Sequence, residues 1–194
     1  KDYKIESVSS SNSKFSTEIV ICSADYNFFE QKILPKKYQS YTNRYWQSRT
    51  MSPSSLLFYL GVSKKIKNLE HHNLFFDEDI EEHIDDIYKK PKWPKKPLFY
   101  ACCPSKTDIE VAPKGKENIF ILIPIAPGIE DTSDLRKKYY DLVLDKLSKY
   151  CKIDLKQMIE YERSYCINDF ISDYNAFKGN AYGLANTLTQ TANL

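Results

Sequence analysis

At 194 residues the chain can bury a sizeable core, roughly 70% of the surface its unfolded form exposes. Its 42% apolar and 14% aromatic content, with fifteen tyrosines, excludes a disordered polypeptide. A net charge of +2, from 28 Lys and Arg against 26 Asp and Glu, lacks the basic footprint that nucleic-acid binding needs.

In chain order, "FSTEIVICSAD" (Phe15 to Asp25) reads as a strand, followed by a helix that opens at Asp25. Residues 36–49 put Tyr38, Tyr41, Tyr45 and Trp46 at helical spacing, which predicts a helix packed by its aromatic face on a sheet. From Ser52 to Val62, Leu56, Phe58 and Leu60 share one face and Leu57 and Tyr59 the other, so this strand is expected to be central. "HHNLFF" is a shorter strand. Ile80, Ile84, Ile87 and Tyr88 then mark a helix whose acids come early and lysines late, as its dipole favours. "KPKWPKKP" breaks regular structure. "LFYACC" and "NIFILIPIA" follow as strands, the second apolar on both faces. Leu135, Tyr139, Leu142, Val143, Leu147 and Tyr150 mark the clearest amphipathic helix, and "MIEYERSYCI" alternates as a half-exposed strand. Together these predict an α+β fold: a mixed β-sheet of about six strands with four or five helices packed on it.

Chemistry-bearing motifs are few. Five glycines cannot assemble a G-x-G-x-x-G or a P-loop, and five cysteines with no export signal predict reduced thiols. No run of eighteen apolar residues occurs, so a cytoplasmic chain is expected. His71, His72 and His83 lack zinc-ligand spacing, and adjacent histidines on a strand point to opposite faces, so no metal site is expected. Cys102 and Cys103 read as small buried hydrophobes, and nothing supplies Ser52 or Ser54 with a base. An aromatic sheet so poor in poised acids and bases is either ordinary core or the wall of a pocket for an apolar ligand, with the chemistry left to a cofactor. Near the end, "NAFKGNAYGLANTLTQ" sets Gly179 and Gly183 four residues apart, where the backbone turns sharply or something approaches it closely.

Taken in order, "VICSAD", "MSPSSLLFYLGVSKKIKNLEHHNLFF", "PLFYACCPSKTDIEVAPKGKENIFILIPIAPG" and "DFISDYNAFKGNAYGLANTLTQTA" resemble the later part of bacterial phytoene desaturases, Bacteroidetes-like members most of all. These are FAD-dependent carotenoid desaturases, and the resemblance runs from about Ile19 to Ala192. It implies a fragment of the substrate domain of an FAD/NAD(P)-binding-type oxidoreductase. Residues 1–35 would end the FAD-binding domain and 36–194 would form an incomplete substrate-binding domain. The N-terminal glycine-rich βαβ unit and the C-terminal segment that closes over the flavin are not in this sequence. The parent activity implied is removal of hydrogen across an allylic C–C bond of a long polyene, with hydride passing to the flavin.

By the same resemblance, Ala24, Asp25, Gly179 and Gly183 would be cofactor-binding. Ser52, Leu56, Phe58 and Leu60 would line or support the polyene tunnel, and Asn180, Ala181 and Tyr182 would adjoin the reacting carbon. No catalytic side chain is assigned. FAD is expected to bind this chain weakly or not at all, leaving it inactive alone. The expected partner is a phytoene-like polyene, with peripheral membrane contact left open and the lysine-rich loop 89–96 expected to be solvated rather than a membrane contact; no nucleic acid is expected, and the oligomeric state stays open. The alternatives are an amine oxidase-like or retinoid-saturating flavoenzyme, and a carrier of apolar ligands without chemistry.

Overall fold

A computed structural model describes residues 4–191; the first three residues of the expected 1–35 segment, and Ala192 at the end of the resemblance, lie outside them. The chain begins with a hairpin of β1 (Ser7–Ser9) and β2 (Lys14–Ser16), which pair only with each other. The strand expected over Phe15 to Asp25 ends at Ser16. Residues 17–24 join no strand, and Ile21 is 93% exposed. This apolar run has a strand's composition but no neighbouring strand among the described residues to hydrogen-bond it. The helix does open at Asp25, whose carboxylate accepts the Phe28 N–H, as α1 (Tyr26–Phe28) continuing into a π-helical turn over Phe29–Ile33.

The helix expected over 36–49 is broken. A 3-10 turn (Lys36–Tyr38) is separated from α2 (Asn43–Gln47) by an extended stretch. The cause is Glu30, a buried carboxylate that accepts the backbone N–H groups of Ser40 and Tyr41 at 2.6 and 3.0 Å and the Trp46 indole at 2.8 Å. A buried charge must be met by donors, and the two peptide groups that meet it are lost to the helix. Tyr26, Tyr41 and Tyr45 gather around Trp46 as an aromatic knot, which touches Phe177 rather than the main sheet.

The main sheet has five strands: β3 (Ser54–Val62), β4 (His72–Phe75), β5 (Phe99–Cys102), β6 (Glu117–Ile125) and β7 (Ile159–Tyr165). Their order is β4-β5-β6-β3-β7, and every pairing is antiparallel. The α+β class and the interior place of β3 agree with expectation, whereas the sheet expected to be mixed with about six strands has five, all antiparallel, because the strand expected over Phe15 to Asp25 does not join it. The nineteen-residue α4 (Ser133–Cys151) covers one side, and α3 (Ile80–Tyr88) meets β6 at Pro124, whose carbonyl accepts from His83. Leu56, Phe58, Leu60 and Val62 of β3 join Ile119, Ile121, Ile123 and Ile125 of β6 and Tyr139, Val143, Leu144 and Leu147 of α4 in one core. β6, read as apolar on both faces, is buried residue by alternate residue, with Phe120 and Leu122 only half-buried on the far side. After β7 come α5 (Ile167–Tyr174), a 3-10 turn (Phe177–Gly179) and α6 (Leu188–Thr191).

Candidate functional site

The strand register fixes what shares the sheet face turned away from α4. One row across the strands is Arg163–Tyr59–Phe120–Cys102–His72 and the next is Tyr165–Leu57–Leu122–Tyr100–Leu74, while Tyr161, Gly61 and Asn118 lie beyond the first row. Much of this face is open, with Tyr59 40% exposed, Tyr161 57% and Leu74 65%, while Leu57 and Cys102 within the rows are buried. Its middle is aromatic, with Tyr59 and Tyr100 each against Phe120 at ring separations of 5.3 and 6.4 Å. A recess of about 410 Å³ opens on it, floored by Tyr59, Gly61, Asn118, Phe120 and Tyr161, with Pro104 and Pro113 at the rim. Gly61 contributes by having no side chain: a Cβ there would come within 3.1 Å of the Tyr161 Cβ. Arg163 and His72 stand on the β7 and β4 edges, and the recess is lined by Asn118 and by the Lys116–Glu160 ion pair as well as by the aromatic rings. The arrangement suits contact with a flat, elongated, apolar molecule, because such a ligand offers area and no hydrogen bonds.

The expected site residues fall in two places. Leu56, Phe58 and Leu60 stand on the opposite, covered face, at most 2% exposed, and support the sheet from behind. Strand alternation displays two apolar faces, and burial under α4 decides between them. Tyr59, Phe120, Leu122 and Tyr100, which form the open face, were not singled out as site residues. Their one signal in the sequence is the aromatic content of the alternate positions in β3, β5 and β6.

The remaining expected residues come together at the N-terminal end of β3. The Ser52 N–H donates to the Gly183 carbonyl (2.8 Å) and its Oγ–H to the Leu184 carbonyl (3.1 Å), while the Ala181 N–H donates to the Pro53 carbonyl. Asn180 is buried and accepts the Gly183 N–H through Oδ1. Its Nδ2 donates to Phe177 O and to Asp25 Oδ2, which also accepts the Phe177 N–H. Asp25 thus ties α1 to the Gly179 segment, joining two sets of residues that lie some 150 positions apart in the chain. Ala24 and Tyr182 are exposed beside this knot.

For a flavin, the fit is incomplete. Gly179 is required by Ile167, whose Cγ2 would meet an added Cβ at 2.6 Å, so packing within the chain explains it without a cofactor. Gly183 has a positive φ of 82° and open space around it. The Asp25 carboxylate is engaged by three protein donors. Among the described residues no glycine-rich turn leads into a helix to cradle a pyrophosphate.

Of the histidines, only the adjacent pair departs from expectation. His83 is structural: its Nδ1 accepts the Leu98 N–H, so its Nε2–H donates to the Pro124 carbonyl. His71 and His72 do not diverge, because His71 precedes β4 and escapes its alternation; their rings stack at 4.1 Å. The Tyr100 hydroxyl stands 2.6 Å from His72 Nδ1, and the neighbouring Cys102 thiol, with burial, pushes its pKa up to about 12. All five cysteines are free thiols. In loop 89–96, Lys89, Lys92 and Lys96 pair with Asp85, Asp86 and Glu78, which meets much of the loop's charge from within. No helix of the described residues is long and apolar enough to cross a membrane.

No protein-family model matches the chain. Among curated proteins it is 43% identical over 173 residues to a carotenoid 3,4-desaturase of Haloarcula japonica. It is 32% identical over 181 residues to a 4,4'-diapophytoene desaturase (4,4'-diaponeurosporene-forming) of Staphylococcus haemolyticus, and 27% identical over 180 to a zeta-carotene-forming phytoene desaturase of Myxococcus xanthus. Each alignment covers 89% of this chain, and the chain spans about a third of each relative: 35%, 36% and 34%.

Proposed function

We propose, from a chain whose curated homologues over most of its length are carotenoid and phytoene desaturases, that it forms the substrate-binding wall of a carotenoid desaturase. The open aromatic face carries this reading. A polyene laid along the Arg163–Tyr59–Phe120–Cys102–His72 row would cross five strands, about 19 Å at the usual strand spacing of 4.7–4.9 Å. Binding would come from buried apolar area, at about 25 cal/mol per Å², and from the flat ring surfaces that hold the chain extended. Tyr59 and Phe120 orient the polyene, and the recess over Gly61 admits its bulk. Covering the row expels water from the reacting carbons.

FAD bound to the parent enzyme would supply the acceptor for a hydride from an allylic carbon of the polyene. The residues described here supply the wall and no flavin cradle, so this chain's part is binding and orientation. The Asp25–Asn180 knot would fix the exposed Tyr182 loop at the end of β3, beside the cofactor. The amine oxidase-like, retinoid-saturating and carrier alternatives are not favoured by the relatives. The enzyme containing this segment, assayed with phytoene-type polyenes in liposomes and added FAD, should form desaturated, coloured product. Tyr59→Lys or Phe120→Lys should lower the rate at least tenfold, while Tyr174→Lys, on the exposed side of α5, should not. Equal rates for the two open-face variants and the parent would sink the proposal.

A further inference from the structure

We propose that His71, His72 and Cys102 form a zinc-binding site at the β4 edge of the sheet, at the end of the row on which the polyene is proposed to lie. Each offers one donor atom, and the three atoms lie within 4.8 Å of one another. Register brings two of them together. His72 and Cys102 are directly opposed on β4 and β5, which sets their Cβ atoms about 5 Å apart on one face. The third arrives because His71, one residue ahead of the strand, turns its ring onto that of His72.

Two imidazoles and a thiolate are a borderline-soft set suited to zinc. With bonds of about 2.0–2.1 Å to nitrogen and about 2.3 Å to sulfur, tetrahedral donors stand roughly 3.3–3.7 Å apart. The present donors therefore need to close by about 1 Å, within reach of side-chain rotation. Their surroundings orient them. The Thr107 hydroxyl lies 2.6 Å from His71 Nδ1, as the Tyr100 hydroxyl does from His72 Nδ1. An imidazole that donates its Nδ1–H to an oxygen presents the Nε2 lone pair outward, which is how metal-ligating histidines are held. Three protein ligands leave a fourth position for water. A metal there would clamp β4, the edge strand, to β5.

Titration of the purified chain with cobalt, a spectroscopic stand-in for zinc, tests the site. One cobalt per chain is expected, with a near-ultraviolet thiolate-to-cobalt band and the strong visible bands of a tetrahedral ion, both lost on adding zinc. Cys102→Ala should abolish the thiolate band, and His72→Ala should weaken binding roughly tenfold or more. Cys103→Ala, one residue along and inside the core, should keep both signals. Zinc-edge X-ray absorption on the unsubstituted chain does not depend on any variant folding: a first shell containing one sulfur and two imidazoles supports the site. A shell of oxygens alone, or a thiolate band that persists in folded Cys102→Ala, overturns it.

Discussion

Gly179 and Gly183 both hold positive φ, +63° and +82°, but only Gly179 is also walled in, by Ile167. Gly183→Ala should therefore cost about 1 kcal/mol, the penalty of the left-handed region for an alanine, whereas Gly179→Ala should cost about 3 kcal/mol once overpacking is added. Urea unfolding of the two variants separates them, and equal losses would contradict the difference in packing. Asp131 offers a second test. Its side chain is 1% exposed and grips Arg136 through two hydrogen bonds of 2.7 and 2.6 Å while accepting the Asn168 N–H. Burial alone would raise its pKa, but Arg136 and the Asn168 amide outweigh burial and hold the carboxyl below the usual range. A depressed folded pKa means its stabilisation is full above the unfolded value of about 3.9 and is lost as pH falls through the folded value. Asp131→Asn should destabilise the chain by about 3 kcal/mol at neutral pH and flatten the acid limb of stability against pH. An unchanged acid limb would assign that limb to other carboxylates.

At the scale of elements, β3 is the pivot, with one face sealed and the other open. Phe58→Ala should cost about 3–5 kcal/mol, as expected for a ring removed from a packed core; Tyr59→Ala, one residue on, should cost at most about 1 kcal/mol. Thermal unfolding reads both, and a Tyr59 loss equal to that of Phe58 would mean the far face is packed. Period-2 and period-3.6 patterns were enough to place β3, β6, α3, α4 and β7, because each buries a continuous stripe against a neighbour. They were not enough to choose between the two apolar faces of β3, since that choice belongs to α4, more than seventy residues away. They also missed the break before α2, where a single buried carboxylate at Glu30 outbids the aromatic spacing by capturing two peptide N–H groups. The divergence expected of His71 and His72 failed for a boundary reason, β4 starting one residue later than alternation assumed.

At the scale of the molecule, the chain is a sheet with a helix-covered back and an aromatic front, joined at the N-terminal end of β3 to a knot made by Asp25, Ser52 and Asn180. The aromatic content and the resemblance pointed to an apolar ligand, but not to the surface proposed to meet it, because only long-range packing reveals which face stays bare. The central claim is that this front binds a polyene. Titration with a long polyene in dilute detergent, read as quenching of tyrosine and tryptophan emission by energy transfer, tests it directly. Saturable quenching at one polyene per chain, weakened at least tenfold by Tyr59→Lys with the fold intact, is the predicted result. Quenching that never saturates, or that Tyr59→Lys and Phe120→Lys leave unchanged, would contradict it.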